Sequence, residues 1–320
     1  MRKIGIFGRR DDPHVLALKA AIEKAGAKPQ VIDFKSFPKL NQCSYGLRIA
    51  PTFDDIRERA PYPVADLDAA IVRSVHSLAL SCEQVECMSN AEIASRHRRQ
   101  IALVSFQLSL HLALAEHIPV INPPHAHLFH RQKGWQHQRL LKTGIPTPSA
   151  IVTNNRKKAL AFTRTLQGRV VVKPQAGGAE VVMADEGFFR ENNTLDRPYI
   201  FQQYVKGTAI RVYALGGEVI LASEIHYDKK HVDWRERVES IKPHTLSEEL
   251  SKQVREAARL LNLPFCGIDI EHDEYSNKFY FLDFNPSAYF LFASRKTGVD
   301  IALHLAQYAL KVSRNGRGFW

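Results

Sequence analysis

The chain has 320 residues, 45 % of them hydrophobic and 24 % charged, with a formal net charge of +11. That length allows two or three cores, and no apolar run approaches the ~20 residues a membrane helix needs. Basic residues are spread along the chain, with small clusters at SRHRRQ (95–100) and SRNGRGFW (313–320), so the charge points to phosphates or acidic groups rather than to a nucleic-acid groove. Cys43, Cys82, Cys87 and Cys266 make neither a CxxC pair nor a secreted framework, which predicts reduced thiols. The basic start MRKIGIFGRR runs at once into strand-like alternation and is not read as a signal peptide. A cytoplasmic enzyme or binder is the expectation.

In chain order, KIGIFG reads as a short apolar strand. A helix follows with Val15, Leu18, Ile22 and Ala25 at helical spacing, ending at Gly26. VIDF (31–34) completes a βαβ unit, and 36–66 carries no regular pattern. AAIVRS (69–74) reads as a strand, then a long helix presents Ile101, Val104, Leu108, Leu112 and Ala115 on one side, leading to PVIN (119–122). These elements predict a small open parallel sheet ending near residue 122. Gly5 and Gly8 lack the third glycine of a dinucleotide fingerprint.

Prolines 123 and 124 mark a boundary. Beyond them come a helix over 133–143, the turn GIPTP (144–148), and strands AIVT and RVVVKP around another helix. YIFQQYV (199–205), IRVYAL (210–215) and EVILASEI (218–225) follow, the last two joined at Gly216-Gly217. A helix from about Leu246 carries Leu250, Val254, Ala257 and Leu261 on one face, with Thr245 and Glu248 as a capping box. The closing helix is expected over 299–311.

Chemistry concentrates in CGIDIEHDEYSNKFYFLDFNPS (266–287). It places Asp269, Asp283 and Asn285 on two adjacent extended segments, with Asp283 and Asn285 on one face because alternate residues share a side. Three oxygen donors of this kind suit Mg²⁺, which takes one or two carboxylates and leaves its other positions to water and substrate phosphates. The bland rival is a hairpin with solvated acids. VVVKPQAGGAEVVM (170–183) sets Lys173 at a strand end before Gly177 and Gly178, where freed backbone NH groups can meet phosphate oxygens. Taken alone, two glycines there are only a turn. Lys133 opens the next candidate helix, where any lysine would be comfortable. The histidines of PPHAHLFHRQKGWQH read as loop polarity ahead of a zinc site, because HxH lacks a third placed ligand.

The order of these motifs resembles the ATP-grasp superfamily, closest to RimK-like carboxylate-amine ligases, over about residues 68–311. The series is a lysine-bearing helix ending in GIPTP, a strand-lysine-glycine hairpin, FQQYV, an arginine strand, and D…DxN. The resemblance implies an α/β ATP-grasp fold with an N-terminal Rossmann-like pre-grasp domain over 1–122. It further implies a small lid subdomain over 123–200 and a C-terminal subdomain with the metal site over 201–320. It gives Lys133 and Lys173 the ATP phosphates, and Gly177 and Gly178 the mobile covering loop. Gln202, Gln203, Tyr204 and Val205 become the hinge that reads adenine. Arg211 is placed near the transferred phosphate and the acyl intermediate, and Arg235 of DWR (233–235) becomes a second candidate for phosphate or substrate contact. Asp269, Asp283 and Asn285 become the metal ligands.

The chain departs from the family pattern in having Asp283 where Glu is usual and Ala209 where an acid usually holds the ribose hydroxyls. The implied cofactors are ATP and Mg²⁺, with Mn²⁺ able to replace it. The implied activity joins a carboxylate, activated as an acyl phosphate, to an amine. The partners are then a carboxylate and an amine, small molecule or peptide, with no nucleic acid or membrane, and a homo-oligomer is admitted. DWR and FLDFNP also resemble ATP-grasp maturases that close side-chain bonds in ribosomal peptides. A nucleotide-sensing protein without turnover is the reading from another class.

Overall fold

The computed structural model describes the chain except for residues 35–36, 38–40, 47–48, 56–61, 76–87, 176–180, 229–231, 233–237 and 316–320. Gly177, Gly178, Arg235, Cys82 and Cys87 lie outside the described residues. Contacts divide the chain into two compact units: Met1–His127 with the C-terminal segment from Ala302, and Leu128–Ile301.

In the first unit, β1 (Lys3–Phe7), α1 (Pro13–Lys24) and β2 (Lys28–Ile32) form the expected βαβ start. Asp12 caps α1 by accepting from the His14 N–H, Pro13 opens the helix, and Gly26 follows its end at φ +81°, a conformation glycine adopts without steric cost. β6 (Ala69–Val72) and β7 (Val120–Ile121) complete a parallel sheet in the order β2-β1-β6-β7. Ile4, Ile6, Ala69 and Ala70 in it are fully buried, as a sheet covered on both faces requires.

Two expectations for this unit change. Within 36–66, where no pattern was expected, β3 (Asn41–Gly46), β4 (Ile49–Asp55) and β5 (Tyr62–Pro63) form an antiparallel sheet. Its strands are polar and bulged between Ser44 and Gly46, so alternation is weak in sequence, but Phe53 is buried against Phe34 with ring centroids 5.7 Å apart. The long helix, α2 (Asn90–Ala115), buries Gln107, Leu110, His111 and Leu114, whereas Ile101 and Leu112 are 53 % and 51 % exposed. Its second half is apolar around most of its circumference, so the spacing alone did not select the packed face.

The second unit begins within α3 (Pro124–His130) and continues with α4 (Lys133–Lys142). A first sheet, ordered β10-β9-β11-β8, is built from β8 (Ala150–Thr153), β9 (Val170–Pro174), β10 (Val182–Met183) and β11 (Tyr199–Gln203). α5 (Arg156–Thr165) and α6 (Glu186–Glu191) accompany it, and Ala159, Val170, Val172, Phe189 and Phe201 form its core.

The second sheet, ordered β14-β13-β12-β15-β16, uses β12 (Gly207–Leu215), β13 (Glu218–Tyr227), β14 (Val238–Pro243), β15 (Phe265–Asp273) and β16 (Phe279–Asn285). Gly216 and Gly217 turn β12 into β13 with φ of +59° and +83°, the left-handed pair a tight hairpin demands. α7 (Glu248–Leu260) packs on β12 and β13 and buries Leu250, Val254 and Ala257. Its cap is Ser247, accepting from the Leu250 N–H at 3.2 Å, not the expected Thr245. α8 (Leu291–Thr297) follows, and α9 (Ile301–Asn315) closes the chain within the first unit, where Arg2 donates to the Ser313 carbonyl at 3.1 Å.

Candidate functional site

Strand register brings the site together. On the second sheet Arg211 of β12 faces Asp269 of β15, and Asp269 faces Asp283 of β16. Cross-strand partners share a face, so one arginine and two carboxylates stand in a row over three neighbouring strands. The alternate residues Ile210, Val212, Ile268 and Phe284 are buried, which fixes the polar row on the other side. A bulge between Asp269 and Ile270 makes Phe281 the next partner after Asp283, with Leu282 as the extra residue. Bulges commonly re-aim side chains beside functional sites.

Both carboxylates hold a buried cation. An Arg211 guanidinium NH donates to Asp269 Oδ1 at 2.6 Å, and Lys133 Nζ donates to Asp283 Oδ1 at 2.6 Å. Arg211 is 7 % exposed and Lys133 9 %. Gly267 makes room for the arginine, since a Cβ there would collide with the guanidinium and stand 2.6 Å from the Ala288 Cβ. Burial would lower the Arg211 pKa, yet Asp269 and Tyr213 beside it raise it above its ordinary value. Burial would raise the Asp283 pKa, but Lys133, His130 and Lys173 hold it well below the usual carboxylate range. Asn285 Oδ1 accepts from the Ser287 N–H at 2.8 Å.

Lys173 lies half-buried on β9 and acts electrostatically on both Asp283 and His137. His137, read in sequence as loop polarity, lies within a helix. It sits one turn after Lys133 on α4, and burial first, then Lys173, lowers its pKa to about 4. The usable signal was the i,i+4 spacing from Lys133, which puts both on one helix face. His130, read the same way, ends α3 with its Nδ1 2.9 Å from the Phe284 carbonyl and 4.0 Å from Asp283. Tyr289, four residues beyond the end of β16, is 74 % exposed.

The 202–205 segment follows β11. Gln203 is held by its own N–H to the Ser149 carbonyl and by Oε1 accepting from the Ser149 N–H. The Tyr204 backbone N–H donates to the Arg169 carbonyl, and Val205 is buried. Gln202 is 1 % exposed, and both its amide atoms lack a hydrogen-bond partner among the described residues. A buried amide presenting one donor side and one acceptor matches a purine edge, so the segment fits a nucleotide base. Two carboxylates and an amide oxygen fit a hard divalent cation. Among the described residues no three His, Cys, Asp or Glu cluster as a metal site.

The RimK-like ATP-grasp domain matches residues 130–309, more than half of the chain. The chain belongs to that family, whose members use ATP, and it is an ATP-dependent ligase. A search of curated protein sequences finds no match. Among solved structures, the ATP-grasp ligase PsnB complexed with minimal precursor, Mg and ADP is similar at 24 % identity and TM-score 0.81, covering 97 % of this chain and 98 % of that one. The Chryseobacterium gregarium RiPP-associated ATP-grasp ligase in complex with ADP and a leader and core peptide is similar at 18 % identity and TM-score 0.80, over 97 % of each chain. The macrocyclase MdnC from Microcystis aeruginosa MRC, bound with precursor peptide MdnA, gives 17 % identity and TM-score 0.78, over 97 % of this chain and 99 % of that one. These likenesses establish the ATP-grasp fold.

Proposed function

We propose that this ligase forms amide-type bonds on a peptide substrate, activating a side-chain carboxylate as an acyl phosphate. The observation that carries the reading is the row Arg211–Asp269–Asp283 with Lys133 closing on Asp283. Alternating cations and carboxylates are an arrangement for gathering a polyphosphate and its counter-ion. The peptide as substrate is supported by the minimal precursor bound to PsnB, the leader and core peptide bound to the Chryseobacterium gregarium ligase and the precursor peptide bound to MdnC, proteins that match this chain along nearly its whole length.

In this proposal Gln202, Gln203, Tyr204 and Val205 seat the adenine, and Lys133, Lys173, Gly177 and Gly178 receive the phosphates. Asp269, Asp283 and Asn285 would hold Mg²⁺, which supplies charge neutralisation across the phosphates when bound. Arg211, and Arg235 with it, steady the γ-phosphoryl as it leaves ADP. One carboxylate oxygen bonds to the γ-phosphorus while the bond to the ADP oxygen breaks. The amine then attacks the acyl carbon, phosphate departs with its electron pair, and the amine loses its proton to solvent. Keeping water from the acyl phosphate is the task proposed for Gly177 and Gly178. Residues 1–122, 123–200 and 201–320 stand as the proposed pre-grasp, lid and metal-site parts.

The test is ADP release on addition of peptides bearing Asp and Glu side chains. Peptide-stimulated release accompanied by loss of one water from the peptide mass supports the reading. Tight ATP binding without release across the panel would favour a nucleotide sensor instead.

A further inference from the structure

One buried carboxylate on the site face of the second sheet takes no part in the phosphate row. Glu271 is 4 % exposed and lies two residues along β15 from Asp269. The two side chains therefore share a face, about 7 Å apart along the strand. Its cross-strand partner on β12 is Ala209, two residues before Arg211. A methyl group is all that position 209 offers, so nothing bulky from β12 covers the carboxylate. Ala209 also belongs to a small apolar cluster with Ile225 and Tyr227, which keeps the surroundings dry.

A second marker fixes the other side. The Tyr204 pKa is raised, by burial first and by the Glu271 carboxylate next, so Glu271 lies within electrostatic reach of the 202–205 segment. The carboxylate thus stands between the proposed adenine seat and the carboxylate row proposed for metal and phosphates. A nucleotide bridges those two points with its ribose, which presents two hydroxyl donors. An ionised carboxylate only accepts, and hydroxyl-to-carboxylate bonds are among the strong ones.

We propose that Glu271 accepts a hydrogen bond from a ribose hydroxyl of the bound nucleotide and so sets the preference for ribonucleotides over deoxyribonucleotides. The inference rests on the nucleotide seat proposed above. The test is calorimetric titration of the full chain, with Mg²⁺ present, using ADP, 2′-deoxy-ADP and 3′-deoxy-ADP. ADP should bind the wild type about tenfold or more tightly than at least one deoxy form, as loss of a bond to a charged acceptor implies. Glu271→Ala should bring the three affinities within about twofold by weakening ADP alone, and Glu271→Gln should fall between. Equal affinities in the wild type, which needs no variant to fold, or a preference surviving in Glu271→Ala, overturn the proposal. Absence of any ADP binding to the wild type would instead refute the nucleotide seat itself.

Discussion

Lys133 Nζ stands 2.6 Å from Asp283 Oδ1, a buried ion pair between residues 150 apart in sequence. Of the two, one is proposed to hold phosphate and the other metal, so each neutralises its partner until a nucleotide and its cation arrive. Burying either charge without the other is costly, which separates the structural from the functional role of the pair. Asp283→Asn is predicted to abolish turnover and to destabilise the fold by about 3 kcal/mol, the cost of leaving Lys133 uncompensated. The double variant Lys133→Met with Asp283→Asn should regain most of that stability and none of the turnover. Chemical denaturation and ADP release on the same samples check both halves.

Gln202 gives a prediction of opposite signs. Its buried amide has no hydrogen-bond partner among the described residues, so Gln202→Leu, a change to an apolar side chain of similar volume, should raise stability by about 1 kcal/mol. The same change should weaken ADP binding about tenfold or more. Thermal melts and nucleotide titration would expose the trade, and an unchanged ADP affinity would move the base elsewhere.

Gly267 is fixed by what surrounds it. Gly267→Ala places a methyl on the Arg211 guanidinium and against Ala288, predicting destabilisation of about 1–3 kcal/mol and a fall in kcat from the displaced arginine. Gly298, whose φ is +78° with open space around it, serves as the comparison. Alanine there should cost stability through backbone strain while leaving kcat unchanged.

His111 predicts a pH dependence unrelated to catalysis. It is fully buried against Phe7, ring centroids 4.4 Å apart, and neither ring nitrogen has a hydrogen-bond partner among the described residues. Burial first, then His127, lowers its pKa from 6.5 to about 3. With the folded pKa depressed, the unfolded chain binds more protons between pH 6.5 and 3. The stabilising difference is therefore complete above pH 6.5 and is lost progressively as pH falls toward 3. His111→Leu should flatten the stability profile over that interval, measured by denaturant midpoints at fixed pH values.

The sequence made the local elements visible because their signals are local. α1 announces itself by Asp12, Pro13 and Gly26, and the β12–β13 hairpin by two glycines that must take positive φ. The common face of Asp283 and Asn285 was legible because alternate residues of one strand share a side. What stayed hidden depends on register between distant strands. No spacing in the chain places Arg211 opposite Asp269, or Glu271 opposite Ala209. The polar β3–β5 sheet and the packed face of α2 were equally concealed, the first by weak alternation and the second by an excess of apolar residues. His137 escaped because its companions, Lys173 and Asp283, come from other elements.

The central claim is transfer of the γ-phosphoryl group of ATP to a carboxylate at the Lys133–Asp283 site. Trapping with hydroxylamine tests it most directly, with ATP, Mg²⁺ and a peptide bearing Asp and Glu side chains. The account predicts peptide hydroxamate in equal amount to ADP and phosphate, all lost with EDTA or with Asp283→Asn. Hydroxamate accompanied by AMP and pyrophosphate, or yield undiminished in Asp283→Asn, would contradict it.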